Sequence, residues 1–222
     1  MSNISIGIRK TVIAGLVALF AVAQADATLL VWYKFNEGSG TTTANSGAAG
    51  AAGNLTFFGS TAFSASGFSP DPSGYSMNNS PGSTMGGTGG GAWTAGSLDA
   101  LDNLTAMTVT GWYRSDGSFA GLARLVNRAD NTIGAGMWAI YTDGTSGRLQ
   151  ANIGGATTVN TSGNYWQANK WIFFAVTYQG GGSPSVNFFI GDETPPVTAL
   201  TSSTSGTLPA NLGDGSNVLV VG

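Results

Sequence analysis

The sequence predicts an all-β protein, a two-sheet antiparallel β-sandwich, on three observations. Short segments rich in β-branched and aromatic residues recur along the chain, each bounded by Gly, Asn, Asp or Pro clusters. Past residue 27, no window holds apolar residues at the i, i+3, i+4, i+7 spacing over a helical length. Several segments alternate with period two, as a strand with one face in a core requires. Glycine, at 35 of 222 residues, with abundant Thr, Ser and Asn, supplies the turns that many short strands need.

Residues 1–27 read as an export signal. Arg9 and Lys10 form a basic start, TVIAGLVALFAVA (11–23) is an uncharged run of 13, and Ala25-Asp26-Ala27 fits a small-residue cleavage site. Thirteen residues are too few for a bilayer span, which needs roughly 20. The expectation is therefore an exported protein, secreted, periplasmic or at the cell surface, with no membrane span after cleavage. The other reading of the run is a buried core helix.

The remaining residues, 28–222, read as one domain, since sandwiches of about 200 residues fold as single units. Its candidate strands are TLLVWYKF (28–35), NLTFFG (54–59), AMTVTGWYR (106–114), ARLVNR (123–128), GMWAIYTD (136–143), RLQANIG (148–154), WIFFAVTY (171–178), SVNFFIGD (185–192) and NVLVVG (217–222). Residues 60–98, polar and punctuated by Gly and Pro, read as long surface loops with short strands at most. TDGTSGR (142–148) joins two strands as a hairpin.

Alternation orients three of these segments. Met107, Val109, Gly111 and Tyr113 share one face of their strand. Leu149, Ala151 and Ile153 alternate with Gln150 and Asn152, leaving one face wet. Residues 171–178 are apolar on both faces and end on Gly180-Gly181-Gly182, which favours a central sandwich strand over a buried helix.

Composition excludes much chemistry. Removing 27 of 222 residues leaves 195, and removing Arg9, Lys10 and Asp26 from 8 basic and 11 acidic side chains leaves 6 and 10, a net charge of −4. That balance offers no attraction to nucleic acid or to an anionic membrane. The chain has no cysteine and no histidine. Disulfides, thiolate metal sites, histidine bases and Ser-His-Asp triads are all ruled out.

Read in order, these pieces resemble the LamG-like jelly-roll domains of the concanavalin A-like lectin/glucanase superfamily, here in an exported bacterial protein. LVWYKFNEGSG is similar to the family's opening strand and acidic glycine turn, and AMTVTGWYRSDG to its Thr-Val-x-x-Trp strand. NKWIFFAVTYQGG is similar to its Trp-x-x-hydrophobic-Ala-Val-Thr-Tyr strand. The resemblance runs from Leu29 to Gly222 and implies a jelly-roll sandwich. It departs from the family at Asn36 and Asn45, where Asp is common, at Phe173, where His is common, and at Asp192-Glu193, which replaces Asp-Gly. The family pattern continues past NVLVVG into at least one more strand pair, so the resemblance implies C-terminal strands beyond residue 222.

The superfamily includes glycoside hydrolases, whose retaining members need two carboxylates about 5–5.5 Å apart. Here the only glutamates are Glu37 and Glu193, and the close acidic pairs are Asp99 with Asp102 and Asp192 with Glu193. Both pairs read as turns or caps, so no catalytic residue is assigned and a non-catalytic protein is expected. The resemblance also implies a possible rim site for Ca²⁺, with Glu37 and Asn45 as ligands, joined by Asp214 or Asp130; turn formation is the competing role for each. Calcium takes six to eight oxygens, which loops supply well.

Sugar binding uses aromatic faces for stacking and amides or charged groups for hydroxyls. Trp166, Tyr165 and Trp138 are the candidates, with Tyr141 and Trp93 named beside them; core packing is the alternative for each. The run 86–91 is a flexible loop, since no Lys-Ser/Thr follows the glycines. The sequons at Asn54, Asn103 and Asn160 arise readily by chance in a chain this rich in Thr and Asn. Three functions follow: a binding module for a polysaccharide or a cell-surface glycan or protein; a structural or adhesive surface protein without a small-molecule site; and a degenerate glycoside hydrolase.

Overall fold

The computed structural model describes residues 27–65, 73–79, 89–115, 122–128, 136–143, 146–155, 157–165, 167–194 and 196–222. The export signal expected over 1–27 lies outside them up to residue 26. Among the described residues every regular element is a strand or a single 3₁₀ turn, and every strand pair is antiparallel. No helix among them is long and apolar enough to cross a membrane.

The strands in chain order are β1 (Thr42–Thr43), β2 (Leu55–Phe58), β3 (Ala62–Ala65), β4 (Tyr75–Asn78), β5 (Gly91–Ser97), β6 (Ala106–Arg114), β7 (Leu122–Arg128) and β8 (Trp138–Asp143). They continue as β9 (Leu149–Ile153), β10 (Thr157–Thr161), β11 (Trp171–Gln179), β12 (Ser185–Gly191), β13 (Thr198–Leu200), β14 (Ser202–Ser205) and β15 (Val218–Val221). One sheet of nine runs β1-β2-β5-β15-β7-β8-β9-β10-β14, one of four runs β13-β12-β11-β6, and β3 and β4 pair alone. Only Thr201 separates β13 from β14, so the chain steps there from the edge of one sheet to the edge of the other.

The two larger sheets share one core. Ile140, Leu149 and Val159 from the nine-stranded sheet meet Phe174, Val176 and Phe188 from the four-stranded one, all buried. Each such side chain contributes about 1.5–3 kcal/mol by leaving water. A lateral extension over Leu55, Phe57 and Ala92 is covered by Tyr33, Phe35, Phe63 and Met77, with the rings of Phe57 and Phe63 4.8 Å apart.

Strand β11 occupies the centre of its sheet, between β12 and β6. Ile172, Phe174, Val176 and Tyr178 are buried and the residues between them half-buried, which explains an apolar pattern on both faces. The glycines after it have a packing reason. A β-carbon on Gly180 would lie 2.0 Å from the Ala210 carbonyl oxygen, because the 209–211 segment crosses there. Tyr178 Oη donates to the Pro209 carbonyl at 2.6 Å, and Gly181 N–H to the Ala210 carbonyl at 2.9 Å.

The hairpin over 142–148 forms between β8 and β9, closed by Gly147 N–H on the Asp143 carbonyl at 2.7 Å and by an Arg148–Asp143 ion pair at 2.9 Å. Three expectations are corrected. Residues 28–35 are extended but join no strand, because loop 45–49 takes their hydrogen bonds and the chain bends at Phe35, φ 54°. Within the expected loops of 60–98, β5 is a seven-residue strand inside the large sheet. Finally, the expected wet face of β9 is recessed: Gln150 is buried and Asn152 half-buried.

Candidate functional site

Pairing across the large sheet puts residues from seven strands into one line. Thr56 pairs with Trp93, Trp93 with Val220 and Val220 with Asn127. Asn127 then pairs with Ala139, Ala139 with Asn152 and Asn152 with Thr158. Neighbours one residue away along these strands, such as Ile140, Ala151 and Val159, fill the core. Side chains alternate along a strand, so this line lies on the outer face, away from the core. A second line on that face runs Arg124, Tyr141, Gln150, Asn160.

These two lines make a compact polar array. Gln150 Nε2 donates to Asn160 Oδ1, and Asn152 Nδ2 donates to Thr158 Oγ1 at 3.3 Å. Burial raises the Tyr141 hydroxyl above its ordinary pKa; the Asp143 carboxylate adds to this, while Asn152, Thr158 and the Arg124 charge oppose it. Asn152, Thr158 and Asn160 are half-buried, and Arg124, Tyr141 and Gln150 lie deeper. The Asn152 Oδ1 atom is buried without a hydrogen-bond partner among the described residues, in a side chain that lies against the Tyr141 hydroxyl. Planar amides beside a phenol and a guanidinium suit recognition of a neutral polyhydroxylated ligand.

The residues singled out from sequence fall elsewhere. Trp138 is 2% exposed, inside the core, because its parity on β8 is that of Ile140. The stacking role expected of it is thereby corrected, since no ligand ring reaches a buried indole. Tyr165 is half-buried and folds onto its own loop: a β-carbon on Gly163 would lie 2.6 Å from its hydroxyl. Its N–H donates to the Gly147 carbonyl at 3.0 Å. Trp166 and Asp130 lie outside the described residues.

The calcium ligands expected at Glu37 and Asn45 have other work. Asn45 Oδ1 accepts from Trp32 N–H at 2.8 Å and Gly47 N–H at 2.9 Å, and its amide donates to the Gly50 carbonyl at 3.1 Å. Through these bonds Asn45 clamps the N-terminal segment to its loop. Glu37 Oε1 likewise accepts from Thr43 Oγ1 at 2.7 Å and Ala44 N–H at 2.9 Å. Asp214 sits apart from this turn, beside Asp102. Among the described residues, no three acidic side chains gather where a metal ion could be held.

In each acidic pair one member has a partner. Asp192 Oδ1 accepts from Thr194 N–H at 2.7 Å, in a shallow pocket of about 260 Å³ shared with Lys170, Trp171 and Glu193. Asp102, expected at a solvated turn, instead pairs with the buried Arg128. Sequence reasoning missed Arg124, Thr158 and Asn160 altogether. Two signals were available: Tyr141 stood among the candidate aromatics, and the period-two alternation of LQANI set Gln150 and Asn152 on a common face.

Comparison with protein-family models, with curated proteins and with solved structures returns no match.

Proposed function

We propose that this chain is an exported, non-catalytic carbohydrate-binding module of the LamG-like jelly-roll kind, with its ligand on the outer face of the nine-stranded sheet. The observation that carries the reading is the polar array on that face, where the half-buried Asn152, Thr158 and Asn160 stand beside Tyr141 and Arg124. Its amides read hydroxyls, and Arg124 and Tyr141 back them. The motif likeness over Leu29 to Gly222 and the basic-apolar leader at 1–27 support the family and the export.

The non-catalytic part rests on where the carboxylates are engaged. Asp102 is held by Arg128, Asp143 by Arg148, and Glu37 by Thr43 and Ala44. Hydrolysis needs two carboxylates facing one bond, and the array offers amides in their place. Binding of the secreted chain to a polysaccharide panel, compared with an Asn152→Ala variant, tests the reading. Retention that the variant loses supports it, and no retention on any glycan leaves a structural surface protein as the better account.

A further inference from the structure

The outer face carries a second feature, whose interpretation rests on the carbohydrate reading above. Trp93 is 44% exposed in the middle of a strand. Its ring stacks on Phe58, with centroids 4.5 Å apart and planes inclined by 25°. Phe58 leans across its cross-strand partner Gly91, where a β-carbon would come within 2.8 Å of the ring. The glycine thus makes room for the Phe58 ring, which backs the exposed indole to form a two-ring platform.

From this geometry we infer that Trp93 and Phe58 form a stacking subsite for the flat, apolar face of a neutral pyranose ring. Thr56 and Val220, the residues in register with Trp93, are uncharged, so a charged ligand finds no counter-charge beside the platform. A second copy of the chain is a poor fit. Two aromatic side chains bury about 150–250 Å² each, while a stable interface needs roughly 800 Å² per partner. The platform lies four strand steps from Asn152 in one line, about 19 Å at ~4.8 Å per strand. A ligand touching both is therefore a polysaccharide chain several sugars long.

The test is titration of the secreted chain and of Trp93→Ala and Trp93→Tyr with cello-, laminari- and agaro-oligosaccharides of graded length, followed by tryptophan fluorescence and calorimetry. Trp93→Ala should weaken the longest oligosaccharide bound by roughly tenfold and leave the shortest unchanged, with Trp93→Tyr restoring most of the loss. Circular dichroism of the exposed-site variants should match the parent. Equal affinity of parent and Trp93→Ala for the long ligands overturns the stacking subsite and leaves the carbohydrate reading standing. Failure of the parent to bind any of the sugars overturns both.

Discussion

Arg128 Nη2 lies 2.5 Å from Asp102 Oδ1, with the arginine side chain fully buried and the aspartate 16% exposed. The same guanidinium donates to the Leu101 carbonyl at 3.0 Å, to Ser97 Oγ at 3.0 Å and to the Gly215 carbonyl. Gly215 N–H returns a bond to Asp102 at 3.2 Å. One side chain on β7 thus ties the β5–β6 connection to the strand leading into β15, which closes one end of the sandwich.

Truncating Asp102 leaves the fully buried Arg128 charge without its counter-ion. Asp102→Ala should cost about 3–5 kcal/mol, read as a lower midpoint in urea at unchanged slope. A loss below about 1 kcal/mol would mark the pair as solvated.

The pair also sets an acid limit. Burial pushes the Asp102 pKa up, but bonds from Arg128 and Gly215 and the Arg128 charge prevail and hold it below the ordinary value. A depressed folded pKa contributes stability that is fully present above the unfolded pKa, about 3.9. That contribution disappears as pH falls through the lower folded value. Stability of the parent should therefore drop below about pH 4, and Asp102→Asn should flatten that part of the curve. Identical slopes would show that Asp102 is not the titrating group.

Asn45 holds residues 29–32 against their loop through the bonds to Trp32 and Gly47. Asn45→Ala should cost about 1–3 kcal/mol and speed amide exchange at Trp32 before the core strands. For the same reason, chelator and added calcium should give equal melting temperatures, since a tight site would raise the melting point by linkage. A rise with calcium would return Glu37 to a metal-binding role.

Glycine 180 and glycine 182 make a paired test of the turn after β11. A β-carbon meets the Ala210 carbonyl at the first and open space at the second. Gly180→Ala should lose about 1–3 kcal/mol through overpacking, while Gly182→Ala should change nothing. Equal effects would mean that the 209–211 segment yields.

The parts of the fold legible in sequence were those whose pattern is local. β11 and the β8–β9 hairpin carry their own apolar runs and turn residues, and each forms where expected. GAWTAGS was read as loop because glycine and alanine hide strand propensity, yet β5 is held by Leu55–Phe58 on one side and Val218–Val221 on the other. Residues 28–35 failed in the opposite sense, since high propensity describes a fit to a pleated surface and does not supply a partner. The candidate site was the least legible. Asn152, Asn127 and Trp93 share a line only through the register of four intervening strand pairs, and no spacing along the chain encodes that. Trp138 was misplaced for want of its parity, which only pairing with the core reveals.

The central claim is that the outer face around Asn152 binds sugar. Its most direct test is calorimetric titration of residues 28–222, and of the same chain carrying Asn152→Ala, with the oligosaccharide that the parent retains best. Saturable binding by the parent and a loss of at least about tenfold in the variant, the equivalent of one 1.4 kcal/mol hydrogen bond, is the predicted result. Equal affinity in the two, or no heat from any glycan with the parent, would contradict it.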